Sequence, residues 1–188
     1  MNRLPWYIMN DVAYHCSAKC GSQSLLKAFL KNEGLKDPGM GKRRATAHFE
    51  RSLRCIDTGM LYDLPYTRVQ YIREPVERFE SLWRWGCRDH NQGIPSTLWE
   101  VSPDELLWHI MDNLYDNVHW LPQIIETPYA TDVRRLDQMK NDLDLKTKAN
   151  KTEKKEIPDY DLDLLLALYR PDMDLYDSLK WEAIKNPH

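Results

Sequence analysis

The stretch from residue 11 to residue 31 narrows the possible folds more than any other. Asp11 to His15 is a short, partly apolar run, and Ser17-Ala18-Lys19-Cys20-Gly21-Ser22 punctuates it. From Ser24 a helical period takes over. Leu25, Leu26, Phe29 and Leu30 fall on one arc at about 100° per residue, with Lys27 and Lys31 opposite. A strand, a glycine-containing turn and an amphipathic helix, in that order, make the first half of a strand–helix unit.

The pattern recurs. Thr67 to Arg73 (TRVQYIR) alternates, with Val69, Tyr71 and Arg73 on one face, and predicts a second strand. Pro75 then stands where a helix begins, since its missing N–H is not needed there. Val76, Phe79, Leu82 and Trp83 form that helix's apolar stripe, with Arg78, Ser81 and Trp85 on the opposite arc. Ser102-Pro103-Asp104-Glu105 carries a capping-box pattern and opens another helix. Leu162, Leu165, Leu166 and Tyr169 mark a late helix expected to stop before Pro171. Two stretches read as loops: Asn32 to Arg44, closing in Lys42-Arg43-Arg44, and the Lys-rich, apolar-poor Lys146 to Pro158. Neither separates two self-sufficient cores. The expectation is one α/β domain over residues 1–188, with a central, mainly parallel sheet flanked by helices.

Composition removes several function classes. A hydrophobic content of 42% with 29% charged residues excludes a wholly disordered chain. A net charge of −3 provides no global basic field, so nucleic acid is not an expected partner. No apolar run approaches the roughly 18 residues a membrane span needs, and Met1 to Asn10 lacks a signal-peptide profile. No membrane association is expected. The four cysteines, Cys16, Cys20, Cys55 and Cys87, are too few for a disulfide framework; reduced thiols in a cytoplasm are the natural reading. His15, Cys16 and Cys20 lack the second ligand pair of a zinc site, so no metal is expected.

Chemistry concentrates in two segments. Ala18-Lys19-Cys20-Gly21-Ser22-Gln23-Ser24 joins a strand to a helix N-terminus, where backbone N–H groups lack intrahelical partners and the dipole is positive. Gly21 lets the backbone approach a bound oxygen, Ser22 and Ser24 add hydroxyls, and Lys19 adds a point charge. A phosphate is the natural guest, although a serine-capped helix with a surface lysine has the same composition. A nucleotide kinase would require G-x-x-x-x-G-K-[ST], which is missing. The second segment, Arg73-Glu74-Pro75-Val76-Glu77-Arg78-Phe79-Glu80-Ser81, sets an arginine at a strand end and a serine on the next helix. Arginine can fork two hydrogen bonds onto a phosphate. A salt-bridged helix start is the plainer reading of this segment alone.

Together the two segments resemble the paired phosphate-binding signatures of sulfotransferases that use 3′-phosphoadenosine 5′-phosphosulfate (PAPS). That family carries P-K-x-G-[ST]-[TS]-x for the 5′-phosphosulfate and R-[DE]-P-x-x-R-x-x-S for the 3′-phosphate. This chain has A-K-C-G-S-Q-S and R-E-P-V-E-R-F-E-S, in the same order and about fifty residues apart. Three patches resemble the carbohydrate O-sulfotransferase branch. Val118-His119-Trp120-Leu121-Pro122-Gln123 looks like its H-W-x-P-Q segment. Asn150 to Lys155 looks like its basic loop over the nucleotide, and Tyr169 to Tyr176 like its closing Y-x-x-D-x-x-L-[FY]. Ala18 in place of proline and Gln23 in place of Thr or Ser depart from the pattern.

The resemblance implies a P-loop-like fold and an enzyme that moves a sulfuryl group from PAPS to a hydroxyl acceptor, a carbohydrate or similar small molecule, leaving 3′-phosphoadenosine 5′-phosphate (PAP). Lys19 would stabilise charge on the leaving phosphate. Lys19, Cys20, Gly21, Ser22, Gln23 and Ser24 would hold the 5′ end, Arg73 and Ser81 the 3′-phosphate, and Lys151 with Thr152 would close over the top. His48 is the expected base, since a histidine near the operating pH suits proton removal. His15, His119 and the basic residues Arg43, Arg44 and Arg51 are the candidates for acceptor binding. The surplus Trp and Tyr (7 and 10, against 3 Phe) offers stacking surfaces for sugar rings, although helical spacing reads as packing for most of them. Two other readings remain open: a nucleotide-fold binding module for an anionic partner without catalysis, and a nucleotide kinase.

Overall fold

A computed structural model describes residues 6–39, 55–56, 65–91, 93–145 and 156–185, with backbone alone at 55–56 and 180–185. The chain is mixed α/β and divides into two compact units. One holds residues 2–72 and 126–152; the other holds residues 73–125 and 153–188 with Met1.

Among the described residues, the first unit is built on a five-stranded sheet of order β3-β1-β2-β4-β5. Its strands are β1 (Trp6–Met9), β2 (Val12–Cys16), β3 (Cys55–Ile56), β4 (Thr67–Ile72) and β5 (Asp132–Arg135). β2, β4 and β5 are parallel, with His15 opposite Gln70 and Ile72 opposite Arg135. β1 runs antiparallel to β2 and to β3. A tight turn with Asn10 and Asp11 both at positive φ links β1 to β2. The parallel part is therefore three strands wide, with an antiparallel edge.

Alternation along the strands sends side chains to two faces. Tyr7, Met9, Cys16, Val69 and Tyr71 face α1 (Ser22–Asn32), which buries Leu25, Leu26, Phe29 and Leu30 against them. Trp6, Ile8 and Ala13 form the core of the opposite face, with Tyr66, Tyr129 and Ala130 packed against it. β1 is buried on both faces, so it reads as an unbroken apolar run (WYIM) rather than an alternating one. β5 is held by charge: Arg134 bonds Asp132 at 2.6 Å and Asp142 at 3.0 Å, and the Tyr71 hydroxyl donates to Asp142 at 2.8 Å.

The second unit is helical. α2 (Pro75–Trp83) continues into a π-helical turn (Arg84–Arg88), and α3 (Pro103–Asp112) follows. The Ser102 capping box is formed in full, with the serine hydroxyl on the Glu105 N–H and the Glu105 carboxylate on the Ser102 N–H. The core joins Phe79, Leu82, Cys87, Leu106, Leu107, Ile110, Trp120 and Leu165. Two points depart from the sequence reading. The late helix, α4 (Leu162–Leu168), stops before Pro171 as expected, but a further helix that was not read from the sequence, α5 (Arg170–Lys185), follows with Pro171 in its first turn. Arg78, expected on the polar arc of α2, is 3% exposed and lies on the buried side with Phe79 and Leu82. Among the described residues, no helix is long and apolar enough to cross a membrane.

Candidate functional site

The loop from Ser17 to Gly21 leaves the C-terminal end of β2, the end at which open α/β sheets present their ligand-binding loops. It is a strained turn. The Cys20 N–H donates to the Ser17 carbonyl at 3.0 Å, Lys19 has φ +66° and Gly21 has φ +85°. A lysine in the left-handed region costs on the order of 1 kcal/mol, so the surrounding structure must hold it there. Gly21 suits this place because of its φ, while a Cβ there would press only on the movable Leu136 Cδ1, at 2.8 Å.

Gly21 is also the N-cap of α1. It offers no side-chain cap, and the first turn carries no acidic residue. The Gly21 carbonyl takes the N–H groups of Ser24 (2.9 Å) and Leu25 (3.0 Å). The N–H groups of Ser22 and Gln23 stand where a helix has no acceptor to offer. With Lys19 beside them and no carboxylate in the turn, this end of α1 favours an anion. Cys20, expected among the donor-binding residues, contributes differently. Its N–H closes the turn and its thiol is fully buried, 3.6 Å from the Ala18 carbonyl.

Beneath the loop lies a buried polar network that the sequence did not single out. His15 Nε2 meets Glu126 Oε2 at 2.8 Å, and the Ser17 hydroxyl donates to the same oxygen at 3.0 Å. Gln70 Nε2 donates to the Ser17 hydroxyl at 3.3 Å, and the His15 ring stacks on Trp6 with centroids 4.9 Å apart. His15 and Gln70 are both 0% exposed. His15, expected at an acceptor site, thus offers no surface to an acceptor and serves beneath the loop. A polar residue in a buried strand (His15, Gln70) is the sequence signal that marks such a network, but Glu126 is 111 residues from His15 and no local pattern selects it.

In the helical unit, three of the segments quoted above are tied together. The Gln123 side chain clamps the backbone of Arg73, accepting from its N–H and donating to its carbonyl, both at 2.8 Å. Asp172 in turn accepts from the N–H groups of Gln123 (2.8 Å) and Ile124 (2.9 Å). Arg78 donates through Nη2 to the carbonyls of His119 (3.2 Å) and Leu121 (2.7 Å) and lies over the Tyr169 ring. The Tyr169 hydroxyl donates to the Trp120 carbonyl at 2.7 Å. Burial pushes the Asp172 carboxyl above the usual range, against the opposing pull of Arg78 and the two backbone N–H groups. R-E-P-x-x-R, H-W-x-P-Q and Y-x-x-D are therefore one hydrogen-bonded structure, and its product is a fixed backbone at Arg73.

The remaining expected residues fall as follows. The Arg73 side chain is one-quarter exposed and bonds Glu77 at 3.3 Å, one helical turn on. Ser81 is half-buried on α2. His119 packs on Trp85, with ring centroids 4.6 Å apart. His48, Arg43, Arg44, Arg51, Lys151 and Thr152 lie outside the described residues.

Charge divides between the units. The sheet unit carries 17 Lys and Arg against 11 Asp and Glu, formally +6; the helical unit carries 9 against 18, formally −9. The net −3 thus conceals a basic unit that bears the loop and an acidic one. No family model, no curated protein and no solved structure matches this chain.

Proposed function

We propose that this chain is a PAPS-dependent sulfotransferase of P-loop-like fold that acts in the cytoplasm on a hydroxyl acceptor, a carbohydrate in the first instance. The observation that carries the reading is the N-terminus of α1. It has no side-chain cap and no acidic residue in its first turn, and it is preceded by a turn that holds Lys19 and Gly21 at positive φ, on a unit of net charge +6. The clamped Arg73 backbone in the helical unit supports the same reading, because a phosphate-gripping arginine needs a fixed base.

In this reading the N–H groups of Ser22 and Gln23, with the hydroxyls of Ser22 and Ser24, bind the 5′-phosphate. Arg73 and Ser81 bind the 3′-phosphate. The bond between sulfur and the bridging phosphate oxygen breaks with its electron pair left on that oxygen, where Lys19 meets the developing charge. A new bond forms between sulfur and the acceptor oxygen, whose proton passes to a base, His48. Lys151 and Thr152 close over the nucleotide, and His119, Arg43, Arg44 and Arg51 serve the acceptor.

The test has two arms. PAP should raise the melting temperature by mass action and ATP with magnesium should not. Transfer of labelled sulfate from PAPS onto a panel of glycans, phenols and peptides should find an acceptor, and Lys19→Ala should depress turnover more than PAP binding. Failure to bind PAP removes the reading; PAP binding with no transfer to any acceptor class leaves a nucleotide-binding module instead of an enzyme.

A further inference from the structure

We infer that Glu126 is the positioning residue of the Ser17–Gly21 loop. Its carboxylate is buried and a single oxygen, Oε2, serves both His15 Nε2 and the Ser17 hydroxyl, at 2.8 and 3.0 Å. Gln70 reaches the same hydroxyl from the neighbouring strand at 3.3 Å, so Ser17 is held from two sides at the point where the chain leaves β2. The main-chain carbonyl of Ser17 is then the acceptor that closes the turn on Cys20, and this turn carries Lys19 at φ +66°. Fixing Ser17 fixes the carbonyl, the carbonyl fixes the turn, and the turn sets where the lysine and the first amides of α1 stand.

The arrangement is a costly one to build without purpose. A buried carboxylate, an imidazole, a hydroxyl and a carboxamide must each find partners or lose more than an apolar core would. Packing alone would be served by leucine or valine on this face. Position is what the polar set supplies, since hydrogen bonds specify direction and dispersion contacts do not. Glu126 touches no reacting atom in this scheme and acts through Ser17. The consequence for PAP rests on reading the loop as the donor cradle; the consequence for the loop itself does not.

The experiment compares the full-length wild type, Glu126→Ala, Glu126→Gln and Ser17→Ala by hydrogen exchange and by PAP titration. In Glu126→Ala the Cys20 amide should exchange at least tenfold faster, while amides in the middle of α1 keep their protection. PAP affinity should fall about tenfold. With its amide oxygen in the place of Oε2, glutamine still accepts from both the Ser17 hydroxyl and the His15 Nε2–H, so Glu126→Gln should stay within threefold of wild type in both measurements. This rescue separates positioning from general weakening of the core. Unchanged exchange at Cys20 in Glu126→Ala overturns the inference, and so does a glutamine variant as impaired as alanine. If Glu126→Ala does not fold, Ser17→Ala decides by the same Cys20 signature. A wild type that binds no PAP sinks the donor reading alone, because the exchange result still decides Glu126.

Discussion

Replacing Asp172 removes the base of the clamp behind Arg73. The carboxylate is 0% exposed and accepts two main-chain N–H bonds, from Gln123 at 2.8 Å and Ile124 at 2.9 Å. Truncation to alanine leaves both donors buried without an acceptor, at about 1–3 kcal/mol each. Against this stands the cost of burying the charge, which is what raises the carboxyl's affinity for its proton. The expected net loss for Asp172→Ala is about 2–4 kcal/mol, a large share of a typical domain's stability of about 5–15 kcal/mol. Asp172→Asn keeps one oxygen but turns an N–H₂ toward a main-chain N–H, and should lose about 1–2 kcal/mol. Urea unfolding at pH 7, followed by circular dichroism, measures both. Their pH dependence adds a sign. A carboxyl whose affinity for its proton is raised by folding contributes stability that is complete below its ordinary value of 3.8 and is lost as pH rises through its folded value. Wild type should therefore lose ground against Asp172→Asn as pH increases from about 3.8. An alanine variant within about 0.5 kcal/mol of wild type, or asparagine costing more than alanine, refutes the assignment of Asp172 as an acceptor for two amides.

Three further outcomes follow from the same geometry. Gly21→Ala puts an L residue at φ +85° and presses only on the movable end of the Leu136 side chain, so it should lose about 1–2 kcal/mol in denaturant unfolding. Arg78→Met strips the partner from the His119 and Leu121 carbonyls and the countercharge from Asp172, and should lose about 3–5 kcal/mol; combined with Asp172→Ala, the losses should sum to less than their separate values. Burial pushes the Cys87 thiol up from 9.0 to about 12, so its contribution to stability is complete below pH 9 and lost between pH 9 and 12. Peptide-resolved alkylation at pH 8.5 should leave Cys87 unlabelled in the native chain and label it on unfolding.

The local elements were legible in the sequence, for reasons that lie within a few residues of each. The β2–loop–α1 unit, β4, the proline-led α2 and the Ser102 box all follow from periodicity and capping chemistry. Three of the five described strands were not legible, and β3 is only two residues long. β1 lacks alternation because both of its faces are covered, and β5 (DVRR) reads as polar because Asp132 and Asp142 supply the countercharges of Arg134. The helical wheel of α2 misplaced Arg78, since a wheel ranks residues by hydropathy and cannot see two buried carbonyls waiting for a donor.

The sequence alone determined the mixed α/β class, the glycine turn ahead of α1 and the two segments that resemble phosphate-binding motifs, because each depends on residues adjacent along the chain. Only the tertiary structure decided what the polar residues do. It paired His15 and Ser17 with Glu126, set Gln123 on the Arg73 backbone and placed Asp172 behind Gln123. The physical reason is that a buried polar group is stable only with a partner, and its partner here lies 49 to 111 residues away, beyond the reach of any local pattern.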